Sequence, residues 1–401
     1  MTTKAIQPTG EALLAAPVTT TGRAGTAGRL LYIDNMRTFL TVLVLLHHIM
    51  IVYGGSGSWI YVEGRQDLAT TVAGSIFTAV NQAFFMGLFL LISAYFVPGS
   101  YDRKGPARFW KERLARLGIP LAVYSWLVHP LFVYGFQRQT KGLRPPLWDF
   151  YGQYFGNGEL IGAGPLWFIE TLLIFTLVYG VWRLISPGRT VKQPVEGSFP
   201  SNRALALFAL GMGVAGFVLR LKFPVGWKFI PLNLQLPHFG QYIFMFMAGL
   251  LAYRRGWLAS MPDAAGRFWL RVVGLVLLLY IPGALLGGAL ESDAPFQGGW
   301  TWQALFSSLW EAYLCVGLCT GLLYLFHRYA SRQNHFGALL SRSAYAAYIV
   351  QMPVITAVAL LARDLPYHPL LKFGLVSLVA VPLCFISGDL LRRLPYATRV
   401  L

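Results

Sequence analysis

Long apolar runs separated by short polar clusters occupy almost the whole chain, and each is close to the ~20 residues a helix needs to cross about 30 Å of hydrocarbon. Helical spans are expected near 31–53, 70–97, 117–136, 165–184, 204–219, 237–253, 269–289, 302–326, 340–361 and 370–391. Hydrophobic residues make up 56% of the 401 and charged residues only 12%, where a soluble domain carries about 25% charged. A soluble core cannot hide that surplus. The expected fold class is therefore all-α, a polytopic transmembrane helix bundle of about ten spans.

The net charge of +17 is what a nucleic-acid binder would show, but the basic residues lie in short loops and not on one face. Taking alternate loops, 24 of the 33 Lys and Arg fall on the side shared by the two termini. Cytoplasmic loops carry such an excess, so both termini are expected in the cytoplasm, with no nucleic-acid partner. The 98–116 loop, with Arg103, Lys104, Arg108, Lys111, Arg113 and Arg116, is the basic anchor. The domain organisation expected is a disordered cytoplasmic tail over 1–28, a membrane domain over 29–395 and a cytoplasmic C-terminal tail over 396–401. The apolar stretch from Leu13 to Val18 is too short for a signal peptide core. The three cysteines, Cys315, Cys319 and Cys384, fall inside spans as small apolar residues, without disulfide or metal spacing.

Ionisable groups at bilayer depth cost about 2.5–3.5 kcal/mol each on insertion scales, so those retained are functional candidates. The first span carries Asp34, Arg37, His47 and His48. Arg37 and His48 are eleven residues apart, three helical turns plus about 20°, so they share a face about 16 Å apart along the axis. His47 points roughly 80° away. Asp34 is one turn from Arg37 and can pair with it. Against these roles stand a snorkelling arginine and a histidine that only bonds a neighbouring carbonyl. In the fourth span Glu170 lies about one and a half turns deep, near the level of His48, to orient a histidine, bind a hydroxyl-bearing acceptor or bond another helix. Glu311, in the eighth span, has no surrounding pattern, and Asp389 is expected to pair with Arg392 or Arg393. Arg113 and Arg116, three apart on a basic amphipathic stretch, match phosphate geometry, whether of a ligand or of anionic lipid headgroups.

These features stand in an order that resembles the membrane-bound acyltransferase family 3, and within it the glucan biosynthesis protein C-like subset. The matching residues are Arg37 and His48 in the first helix, Phe84-Phe85 to Ser93 closing the second and Arg113-x-x-Arg116 opening the third. Trp167-x-x-Glu170 begins a middle helix, and Ser343, Tyr345 and Tyr348 form a late motif. The likeness covers residues 31 to about 390. It departs where family members often have histidines, at Pro165 and Gln351.

The resemblance implies a membrane O-acyltransferase of the bacterial inner membrane that moves an acetyl or succinyl group from cytoplasmic acyl-coenzyme A to a hydroxyl of a periplasmic or cell-envelope glycan. No metal is implied. His48, Glu170 and Asp34 become the catalytic candidates, and Arg37, Arg113 and Arg116 the coenzyme A contacts. His47, Trp167, Tyr345 and Gln351 become candidate substrate contacts, with membrane lipids as surroundings. The competing readings are a secondary transporter with a buried His/Glu/Arg site and a non-catalytic lipid- or peptide-binding membrane protein. Against the transporter, the internal prolines Pro282, Pro353 and Pro382 cluster in the second half without partners in the first. For the topology, a green fluorescent protein fused at the C-terminus should fluoresce and an alkaline phosphatase fused there should be inactive; the opposite pair of results would invert the orientation.

Overall fold

Without water in the hydrocarbon region, a spanning chain must pair its backbone amides internally, and helices do this within one segment. The computed structural model describes residues 30–64, 67–142, 145–156, 158–186, 197–395, 397 and 400. The tail expected over 1–28 lies outside the described residues, as do 396, 398, 399 and 401 of the C-terminal tail. The helices are α1 Leu31–Tyr53, α2 Leu68–Tyr95, α3 Val97–Arg113, α4 Ile119–Val123, α5 His129–Lys141, α6 Leu147–Gly156 and α7 Trp167–Ile185. They continue as α8 Asn202–Arg220, α9 Phe239–Arg254, α10 Asp263–Leu286, α11 Ala294–Gln297, α12 Trp302–Tyr329, α13 His335–Leu361 and α14 Pro369–Arg392. Among the described residues there is no strand, only one isolated bridge between Phe229 and Leu234.

Nine helical stretches among the described residues are long and apolar enough to cross a membrane, Val97–Lys141 counting as one. The expected span at 237–253 is α9, which at 16 residues is shorter than a full crossing. A 3-10 turn at Leu236–His238 leads into it. Helix starts are capped by side chains: Asp67 accepts from the Thr70 amide at 2.9 Å, Thr301 from Ala304 at 3.1 Å and Asn334 from Gly337 at 2.7 Å. These caps satisfy amides that the helix itself leaves open.

The expected third span is one rod with three irregularities. Gly105 takes a left-handed φ of 73° just before Pro106 and kinks the stretch between Val97 and Arg113. Two π-helical turns, Leu114–Gly118 and Tyr124–Val128, flank α4 and precede α5. Pro120 and Pro130 lie in these stretches and have no N–H to give to the carbonyl four residues back, which favours looser winding.

Helix α1 packs against α2, α13 and α14, and Ile33, Met36, Leu40, Val44, Leu45 and Ile49 are all at most 1% exposed. It is therefore an interior helix. The outer surface is the reverse: Val178, Val181 and Ile185 on α7, Leu207 and Val218 on α8, Leu275 and Leu278 on α10, and Leu378 and Ile386 on α14 are exposed. Apolar exposure on that scale suits a lipid environment. At the end where α1 begins, Asp102 bridges Arg183 at 2.8 Å and Arg254 at 2.7 Å, and Asn35 donates to the Ala330 and Arg332 carbonyls, both at 2.8 Å.

Small residues allow the tightest crossings. A Cβ on Gly388 of α14 would stand 2.6 Å from the Ala347 amide nitrogen of α13, and one on Gly249 of α9 would stand 2.7 Å from the Ala94 Cβ of α2. Gly374, also on α14, has open space around it. Gly388→Leu should destabilise the detergent-solubilised protein by about 1–3 kcal/mol, read as a lower melting midpoint by fluorescence-detected size exclusion, while Gly374→Leu leaves the midpoint nearly unchanged.

Candidate active site

His48 lies eleven residues along α1 from Arg37 on an unbroken α-helix, so the expected separation of about 16 Å holds. Its Nδ1 is 2.7 Å from Oε1 of Gln351 on α13. An amide oxygen only accepts, so in this pair Nδ1 carries the proton and Nε2 keeps its lone pair. The other face of the ring stacks on Trp59, with centroids 4.5 Å apart and 27° between planes. The imidazole is thus held by a hydrogen bond and a stack, with one nitrogen able to accept a proton.

Trp59 comes from the segment that follows α1. That segment is tied down by Lys372 of α14, 3% exposed, which donates to Glu63 at 2.6 Å and to the Arg363 carbonyl at 2.8 Å. The Glu63 amide donates to the Val52 carbonyl at 2.9 Å. His47 turns the other way: it is 6% exposed, packs on Phe85 of α2 at 5.0 Å and meets His48 edge-on at 5.6 Å. Phe85 of the second helix's phenylalanine pair therefore backs His47.

Glu170, in the first turn of α7, is 2% exposed, and both carboxylate oxygens are buried without a hydrogen-bond partner among the described residues. It bonds neither histidine. Trp167, one turn earlier, stacks on Tyr242 of α9 at 5.7 Å and 23°. The 3-10 turn Gly164–Leu166 that introduces α7 is fastened to α13 by the Tyr348 hydroxyl, which donates to the Pro165 carbonyl.

At the other level the three expected arginines converge. Arg37 lies within electrostatic reach of Asp34 and of Arg116, and Arg113 within reach of Arg116 and Glu112. Arg37 and Arg116 are exposed, while the Arg113 guanidinium also lies 5.3 Å over the Phe109 ring. Like charges gathered at one end of the bundle repel one another, and an anion between them relieves that repulsion.

The late motif works as a set of clamps. Pro120 cannot donate to the Arg116 carbonyl, and the Tyr345 hydroxyl donates to it instead at 2.8 Å. Ser343 donates to Asp389 at 3.3 Å, and Asp389 pairs with Arg393 at 2.6 Å and with Arg392 at 3.5 Å. Tyr345 and Gln351, expected against substrate, thus hold the Arg116 backbone and the His48 ring. Sequence reasoning missed Trp59, because an aromatic in a Gly- and Ser-rich connection carries no periodic signal. It missed the partner of Glu311, Arg220, because 91 residues separate the two.

The fold and site define a multi-pass helical membrane protein in which the histidine held inside the bundle shares its helix with Arg37. It belongs to the acyltransferase 3 family: residues 30–389 match that family, described as an acyltransferase domain. Curated relatives include the glucans biosynthesis protein C of Salmonella agona, Salmonella paratyphi A and Salmonella paratyphi B. Each is 27% identical over 248 residues, 60% of this chain and 61% of the relative. The chain thus spans about three fifths of the length of the curated relatives it matches. No solved structure matches it.

Tyr345→Phe should cost about 1 kcal/mol by leaving the Arg116 carbonyl without its side-chain donor. Thermal unfolding of the purified variant checks this, and an unshifted midpoint would remove the clamp assignment.

Proposed function

We propose that the protein is an integral O-acyltransferase of the bacterial inner membrane, with both termini cytoplasmic, moving an acetyl or succinyl group from acyl-coenzyme A to a hydroxyl of a periplasmic or cell-envelope glycan. The observation that carries this reading is the His48–Gln351 bond with the Trp59 stack, since it orients an imidazole with a free Nε2 inside an acyltransferase-family bundle. The names of the relatives favour a glucan as acceptor.

In this reading Arg37, Arg113 and Arg116 bind the coenzyme A phosphates at the cytoplasmic end, and Asp34 keeps the Arg37 guanidinium directed. A donor held there must extend its thioester about 16 Å into the bundle to reach His48. Nε2 of His48 takes the proton of the acceptor hydroxyl as its oxygen bonds to the thioester carbonyl carbon. The carbon–sulfur bond then breaks, and the leaving thiolate takes the proton back from the imidazolium. Gln351 accepts from Nδ1 throughout and so steadies the imidazolium that forms midway. Glu170, whose carboxylate oxygens are unclaimed by other side chains, accepts hydrogen bonds from acceptor hydroxyls, and Trp167 offers an aromatic face beside it.

Purified protein supplied with radiolabelled acetyl- or succinyl-coenzyme A and a glucan acceptor should transfer label to the glycan. His48→Ala should lower the rate by about 10²–10⁴; a folded His48→Ala protein working at full rate would remove the base assignment. Gln351→Leu should lower kcat by about tenfold to a hundredfold, the cost of losing a buried hydrogen bond to a charged ring, while the KM for the donor stays unchanged. Gln351→Glu, which keeps an acceptor for Nδ1, should recover more activity than Gln351→Leu.

A further inference from the structure

Away from His48, a groove of about 60 Å³ runs between α9 and α12, beside the start of α8. Met245, Ala248 and Ala252 line it from α9, and Val316, Cys319 and Leu323 from α12. Each set is spaced i, i+3, i+7, a single stripe along its helix, so the groove follows both helices for about 10 Å. Phe199 and Trp257, from the segments before α8 and after α9, line its end. Those two segments are joined there: the Gly197 amide donates to the Arg255 carbonyl at 3.2 Å, and the Ser260 hydroxyl to the Gly197 carbonyl at 3.1 Å.

The lining is almost wholly apolar, and Thr320 supplies its one hydroxyl, so a polar ligand finds little here to hold it. The volume admits about four water-sized groups, enough for a short run of methylenes and too little for a sugar or a nucleotide. An elongated space of that bore suits a hydrocarbon chain lying along the helices, and filling it restores dispersion contacts that an empty groove forfeits. On α9 the exposed Met247 and Leu251 alternate with the lining residues, so the groove borders the lipid-facing surface.

Cations stand beside the groove's end. Arg203, between the lining Pro200 and Leu205, and Arg255, two residues before Trp257, are both exposed and make no ion pair among the described residues. Arg254, next in the chain, is instead paired with Asp102 at 2.7 Å. Tryptophan settles at the level of lipid headgroups, so a phosphate beside Trp257 would meet arginines that have no carboxylate partner. From the stripe along two helices, the apolar lining and the unpaired arginines at its end, we infer that this groove holds one acyl chain of an anionic membrane phospholipid, with the phosphate toward Arg203 and Arg255. This binding is separate from the acyl-transfer chemistry and does not depend on it.

Full-length protein in detergent can be photolysed with phosphatidylglycerol that carries a diazirine midway along one acyl chain, and the adducts mapped by mass spectrometry. They should concentrate on the peptides holding Ala248 and Cys319. Ala248→Phe, which fills the groove, should lower these adducts about tenfold, while adducts at the exposed Leu278 of α10 stay unchanged. The double variant Arg203→Gln, Arg255→Gln should also lower them about tenfold and leave labelling by a matching phosphatidylcholine probe unaffected. Adducts spread evenly over the exposed apolar faces overturn the site, as do groove adducts that Ala248→Phe leaves undiminished. Equal groove labelling of the unaltered protein by the two lipids overturns the choice of an anionic one. That comparison needs no variant, so it decides the matter where Ala248→Phe fails to fold.

Discussion

A polar group inside hydrocarbon has no water to fall back on, and much of this structure follows from where each such group finds its partner. The backbone amides are paired within helices, and the helix starts are covered by Asp67, Ser201, Thr301 and Asn334. Where the winding is disturbed, another helix supplies the missing partner. Pro120 cannot bond the Arg116 carbonyl, so Tyr345 does, and this single hydroxyl ties the π-helical turn bearing Arg116 to α13. The guanidinium's position thus depends on a backbone repair made from another helix.

The same constraint governs the surroundings of His48 on α1. On α1, packed against α2, α13 and α14, the half-buried His48 is met by Gln351 and Trp59 from two directions. A net hydrogen bond of about 1 kcal/mol would be weak fixation for a mobile ring. Added to the Trp59 stack, it holds the imidazole more firmly than either contact alone. Arg37 is on the same α-helix, so its separation from His48 along the axis is set by helix geometry.

Buried charge is expensive, and two of the buried ion pairs, Lys372–Glu63 and Arg220–Glu311, differ in what surrounds them. Lys372 and Glu63 are packed among α14 and the segment after α1, with Lys372 also spent on a backbone carbonyl, and their effect is to pin the segment that carries Trp59. Arg220 and Glu311 instead border an open cleft with other polar groups beside them. The first pair fastens the segment that covers His48; the second ties the end of α8 to α12.

The sequence by itself determined the all-helical membrane class, the placing of most spans and the shared face of Arg37 and His48, because span length and helical periodicity are local properties. It also singled out Glu170 and the paired arginines, since a charge next to an apolar run is visible without knowing its neighbours. Tertiary structure alone decided that Gln351 bonds His48, that Tyr345 and Tyr348 clamp backbone carbonyls, that Trp59 covers the imidazole and that Glu311 answers Arg220. All of these pairs but Trp59–His48 come from elements that are not consecutive in the chain, and Trp59 lies in a connection without periodicity. No periodicity within one helix encodes which face of another it will meet; that is settled when close crossings such as those at Gly388 and Gly249 lock the helices together.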